Sequence, residues 1–156
     1  MTTQERPPTK NTILVLSELD KSARVAAEYA LTLAQALKAN ILLYNSFLIQ
    51  SSPFESLPQN ASMKFQKNSY AYLEMEAKRL QQLIEANESA FRPDIFYISE
   101  EGSLVDNIFN ITKKENIILI VKGGCFNHDE DDLLGLEFLT VLKQVKLPIL
   151  IIPEYS

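Results

Sequence analysis

Five short apolar runs punctuate the chain, and between them apolar residues recur every three or four positions. The runs are Thr12-Ile13-Leu14-Val15-Leu16, Ile41-Leu42-Leu43-Tyr44, Ile95-Phe96-Tyr97-Ile98, Ile117-Ile118-Leu119-Ile120-Val121 and Ile149-Leu150-Ile151-Ile152. Apolar residues at both parities mark strands buried on both faces. Val25, Ala26, Tyr29, Ala30, Leu33, Ala34 and Leu37 predict one apolar face of a helix over about 21–38. Met63, Tyr70, Ala77 and Ile84 recur every seven residues, with Leu73 and Leu80 between, and predict a long second helix. Gly102 ends the third strand, and Ser103-Leu104-Val105-Asp106 resembles a capping box for a helix to about Lys113. A last helix carries Leu133, Leu136, Leu139 and Leu142. Residues 48–60, with Pro53 and Pro58, read as a loop.

Strands alternating with helices specify an α/β fold: a single-domain, doubly wound, five-stranded parallel sheet with helices on both faces. The polar, proline-bearing residues 1–11 are expected to be a flexible tail, and 12–154 the domain. The chain's 156 residues suffice for one core and leave little for a second.

Fifteen basic residues against 20 acidic ones leave a net charge of −5, which repels phosphate backbones and anionic lipid. Nucleic acid and membrane are therefore not expected partners. The single cysteine, Cys125, has no internal disulfide partner, and the N-terminal residues lack the apolar core of a signal peptide. A cytoplasmic protein is the expectation.

Ligands of open α/β sheets bind at the carboxyl ends of strands, where the strand order reverses. The loops after the first and fourth strands qualify, and the second contains Cys125 and His128, the chain's only cysteine and only histidine. Cys125-x-x-His128 is half a zinc set at most, since no further Cys or His completes it. Asp129, Glu130, Asp131 and Asp132 are carboxylates of the kind that suit Mg²⁺ or Ca²⁺. The same acids cap and complement a helix N-terminus, and a dedicated calcium spacing is missing. Asp129, Asp131 and Asp132 thus stay weak metal candidates. Lys122 stands at the crevice mouth, where it would contact an anionic ligand or pair with Glu18 or Asp20.

Ile13-Leu14-Val15-Leu16-Ser17-Glu18, Tyr29-Ala30-Leu31, Leu43-Tyr44-Asn45, Ile118-Leu119-Ile120-Val121-Lys122-Gly123 and Leu147-Pro148-Ile149-Leu150-Ile151-Ile152-Pro153 together resemble the universal stress protein family. The resemblance implies the adenine nucleotide alpha hydrolase-like arrangement, strand order 3-2-1-4-5, and commonly a homodimer. Many members bind ATP through an Asp after the first strand and a G-x-x-G, nine residues, G-[S/T] pattern after the fourth. Here Glu18 replaces the Asp, and Gly123 matches the first glycine. Phe126 takes the place of the second, Gly135 comes one residue early, and Leu136 replaces the hydroxyl residue. No Lys or Arg lies between Lys122 and Lys143, so a triphosphate would meet carboxylates rather than donors.

The expectation is a stress-response homodimer without a cofactor, acting through protein contact or small-ligand sensing and not as an enzyme, for little acid–base machinery is visible. The alternatives are an AMP- or ATP-binding switch using Glu18, Asn45, Lys122, Gly123 and Gly124, with Asn127 and Gly135 lining the same crevice, or a weak metal-dependent nucleotide hydrolase. In the implied order the last strand is an edge, and Ile149, Leu150, Ile151 and Ile152 are apolar on both faces. Pairing with the same strand of a second copy would cover it.

Overall fold

The computed structural model describes residues 10–17, 21–47, 61–87, 91–124, 140–141 and 143–153. Their strands are β1 (Thr12–Leu16), β2 (Asn40–Phe47), β3 (Ile95–Glu101), β4 (Ile117–Gly124) and β5 (Ile149–Pro153). They form one sheet, every pairing parallel, in the order β3-β2-β1-β4-β5. The order reverses between β1 and β4, so the crevice of an open α/β sheet falls there.

Three helices are described: α1 (Lys21–Leu37), α2 (Ala61–Ala86) and α3 (Leu104–Lys114). Residues 140, 141 and 143–145 are also helical. The expected final helix is otherwise outside the described residues, as are residues 1–9 of the expected tail and the loop 48–60.

Strand alternation sends each strand's residues to two cores. Ile13, Val15, Ile41, Leu43, Val121 and Ile152 meet α1 and the Leu73, Ala77, Leu80 and Ile84 stripe of α2. Leu14, Leu16, Leu42, Tyr44 and Ile120 meet Ile108 and Ile111 of α3, and Val141. At about 25 cal/mol per Å² of apolar surface, each fully buried Leu or Ile stabilises the fold by roughly 2 kcal/mol.

The buried face of α1 differs from the expected one. Val25 is 39% exposed, Tyr29 56% and Leu37 49%, whereas Ala23, Ala26, Ala27, Ala30, Leu31 and Ala34 are buried. Alanines let the helix axis approach β1 and β4 closely, so packing distance, rather than side-chain hydropathy, chose the face. The Ser103 cap is as expected: its side chain accepts from the Asp106 N–H, and Lys113 and Lys114 complement the dipole in the last turn. Gly102, at φ 125°, adopts the backbone that favours glycine and ends β3, its N–H bonded to the Phe47 carbonyl.

Asparagines tie together the amino ends of the strands. Asn116 Nδ2 donates to Asn11 Oδ1 at 2.7 Å, and Asn40 Oδ1 accepts from the Asp94 N–H at 3.0 Å. The Asn40 N–H reaches the Asn11 carbonyl, and the Thr12 N–H the Asn116 carbonyl. The segments leading into β1, β2, β3 and β4 are thereby joined.

Candidate functional site

The carboxyl ends of β1, β2 and β4 bring together Ser17, Asn45, Lys122, Gly123 and Gly124. Glu18, Asp20, Cys125, Phe126, Asn127, His128, the acids Asp129–Asp132, Gly135 and Leu136 lie outside the described residues. The wall of the crevice is therefore described, and the two loops above it are not.

Asn45 is buried, and its amide is engaged at both ends. Nδ2 donates to the Ser17 carbonyl at 2.8 Å, and Oδ1 accepts from Ser99 Oγ at 3.4 Å. The Ser17 N–H meanwhile donates to the Tyr44 carbonyl at 2.8 Å. Asn45 thus braces Ser17, at the end of β1, against β2 and β3. Where a buried carbonyl lacks such a donor, the fold loses about 1–3 kcal/mol.

Gly123 has a packing role as well. A Cβ built on it would lie 2.3 Å from the Ser22 carbonyl oxygen and 2.6 Å from its carbon. The first turn of α1 rests on this glycine, so its small size is required by the fold whether or not a phosphate approaches. At Gly124 a Cβ would meet, among the described residues, only Ile151 Cγ2, at 2.9 Å, a side-chain methyl that can move. Lys122 is half-buried, and its Nζ donates to the Gly123 carbonyl at 3.1 Å.

A second polar group, absent from the sequence reading, lies on the α3 face at the ends of β2 and β3. Tyr44 is fully buried, and its hydroxyl donates to Glu100 Oε2 at 3.4 Å. Ser46 Oγ donates to the Gly102 carbonyl at 2.8 Å and accepts from Asn107 Nδ2 at 3.3 Å. Burial, and then the Glu100 carboxylate, push the Tyr44 phenol well above its ordinary value. It stays protonated and acts as a donor rather than a base. The available signal was the paired break in hydropathy, since Asn45 faces Ser99 and Ser46 faces Glu100 in the β2–β3 ladder.

Among the described residues, no group of three or more His, Cys, Asp and Glu could hold a metal. Nor is any described helix long and apolar enough to cross a membrane.

Solved structures similar to this one include several universal stress proteins. A protein of that family from Burkholderia pseudomallei matches with a TM-score of 0.66 and 17% identity, over 92% of this chain and 96% of its own. UspA from Lactobacillus plantarum matches with a TM-score of 0.66 and 15% identity, over 94% and 99%. A universal stress protein in complex with cAMP matches with a TM-score of 0.64 and 21% identity, over 92% and 97%. No family model and no curated protein matches at the level of sequence. The fold of the chain is that of the universal stress proteins.

Proposed function

We propose that the chain is a divergent universal stress protein, a cytoplasmic homodimer that acts in a stress response by protein contact or small-ligand sensing rather than through ATP. The observation that carries this reading is the state of the crevice wall. Asn45 is bonded to Ser17 and Ser99, and Gly123 is covered by Ser22. Both residues are accounted for by the fold, and neither calls for a nucleotide to explain it. Phe126 and the acids that follow, where glycine and donors would serve ATP, point the same way. The dimer is supported by β5, which lies at the sheet edge with Ile151 38% exposed and Ile149 and Leu150 half-buried.

Thermal-shift titrations with ATP, ADP, AMP and cAMP, each with and without Mg²⁺, test the first part. The expected result is no shift at millimolar ligand. A ligand present at a hundredfold excess over Kd adds about 2.7 kcal/mol, so a rise of several degrees would overturn it. Such a rise with cAMP or AMP would favour the nucleotide-switch reading, to which the cAMP complex of a protein with this fold gives specific support. Sedimentation equilibrium tests the second part: the wild type should be a dimer, and Ile151→Lys should be a folded monomer.

A further inference from the structure

The opposite end of the molecule carries a separate pattern. Each strand is preceded, within three residues, by one exposed cation: Lys10, Lys38, Arg92, Lys114 and Lys146 lead into β1 to β5 in turn. The strands are parallel and about 4.8 Å apart, so these cations cross the amino end of the sheet in a row about 19 Å wide. Their order along it is Arg92, Lys38, Lys10, Lys114, Lys146. Among the described residues this end holds seven cations, with Lys113 and Lys143, against three acids, Glu85, Asp94 and Glu115, in a chain of net charge −5. The described ion pairs lie on α1 and α2 and use none of the five.

Complementing helix dipoles accounts for Lys113 and Lys114 in the last turn of α3. It does not account for Arg92, six residues past the end of α2, or for Lys10, directly before Asn11. Two of the five are also held at a backbone cost. Lys38 has φ 54° and Lys146 has φ 53°, the left-handed region that favours glycine. At Lys38 the left-handed backbone closes the end of α1, the Ala39 N–H donating to the Ala34 carbonyl, and the chain carries a cation where glycine would relieve the strain. The asparagine bonds tie together the segments leading into β1 to β4, beneath four of the five cations.

We propose that this face docks an extended acidic segment of a partner protein, with carboxylates over the lysine row and an apolar side chain against Leu37. Leu37 adjoins Lys38 and is 49% exposed. A peptide fits better than a nucleic acid, because Asp94 and Glu115 interrupt the row: a peptide can space its carboxylates around them, whereas a polyphosphate carries a charge at every unit. The surface is independent of the crevice, and nucleotide binding there would neither support nor oppose it.

The test is fluorescence anisotropy with a labelled twelve-residue peptide of alternating aspartate and serine carrying one central leucine, at about 20 mM and about 300 mM salt. The wild type should bind at low salt and release at high salt. Lys38→Gln, Lys114→Gln and Lys146→Gln together should weaken binding about tenfold. Lys64→Gln, Lys67→Gln and Lys78→Gln on α2 change the net charge equally and should leave binding unchanged. Lys38→Gly alone relieves the backbone, so it should fold at least as well as the wild type yet bind more weakly. No binding by the wild type, equal loss in both triple variants, or tighter binding of a twelve-nucleotide single strand or phosphatidylserine vesicles would each overturn the proposal.

Discussion

Replacing Gly123 with alanine would set a methyl carbon 2.3 Å from the Ser22 carbonyl oxygen. A relaxed contact of that kind is about 3.5 Å, so α1 would have to move by roughly 1 Å. The atoms in the way belong to the backbone, and no rotamer change relieves them. Moving α1 lifts the buried Ala23, Ala26, Ala27 and Ala30 from β1 and β4, and a gap of 0.5–1 Å forfeits about a quarter to a half of a contact's dispersion energy. Overpacking of this sort costs about 1–3 kcal/mol, and rigid backbone puts Gly123→Ala near 3 kcal/mol. For a domain of this size that is a melting temperature roughly 6–12 °C lower. Gly124→Ala is the internal control, since among the described residues its Cβ meets only the methyl of half-exposed Ile151, and it should cost about 1 kcal/mol or less. Urea denaturation and calorimetry of both variants without ligand would measure the difference. If the two melt within a degree of each other, Gly123 is not a packing residue, and its place in the glycine pattern needs a ligand-based explanation.

The remaining predictions rest on the polar bonds. Asn45→Ala leaves the buried Ser17 carbonyl without its side-chain donor and should cost about 1–3 kcal/mol, with faster amide hydrogen exchange at the end of β1. Tyr44 holds its proton more tightly folded than unfolded, so its contribution is full below about pH 10 and declines as pH rises beyond, by up to 1.4 kcal/mol per unit. Chemical denaturation between about pH 8 and pH 11 should therefore show a smaller alkaline loss in Tyr44→Phe than in the wild type; parallel curves would sink that account. Glu76 is 7% exposed beside Arg79, with Arg24 at 3.8 Å, so Arg79→Ala should destabilise by about 2 kcal/mol. Adding Glu76→Gln to it should recover part of that loss, which a double-mutant cycle would measure.

What the sequence made legible, and what it hid, divides along the physics. The strands were readable because burial on both faces demands unbroken apolar runs, and Ser103 because capping is local chemistry. The strand order was not written in those runs; it came from the resemblance, and the pairings agree with it. Where burial depends on distance of approach, hydropathy misled. Val25 and Tyr29 have more apolar surface to bury than alanine, yet only small residues let α1 settle onto Gly123 and the strands around it. The same geometry explains why the glycine motif is ambiguous, since a glycine that admits a helix turn and a glycine that admits a phosphate are the same letter. Asn45 shows the complementary ambiguity, because an amide at a strand's carboxyl end suits a ligand and a neighbouring carbonyl equally well.

The asparagines carried a signal that could have been used. Asn11 and Asn116 immediately precede β1 and β4, and Asn40 opens β2. Backbone groups at strand starts have no ladder partner on one side, and an asparagine there supplies both a donor and an acceptor. Its repetition before three apolar runs marks those starts as neighbours joined by side chains rather than by loops alone. The cations sit in the same segments: Lys10 adjoins Asn11, Lys114 is two residues before Asn116, and Lys38 two before Asn40. Joined by the asparagines, the segments hold their charges in fixed order along the sheet. Local sequence thus builds the platform and the charge row together, at the end of the sheet farthest from the crevice where an α/β fold is ordinarily searched for function.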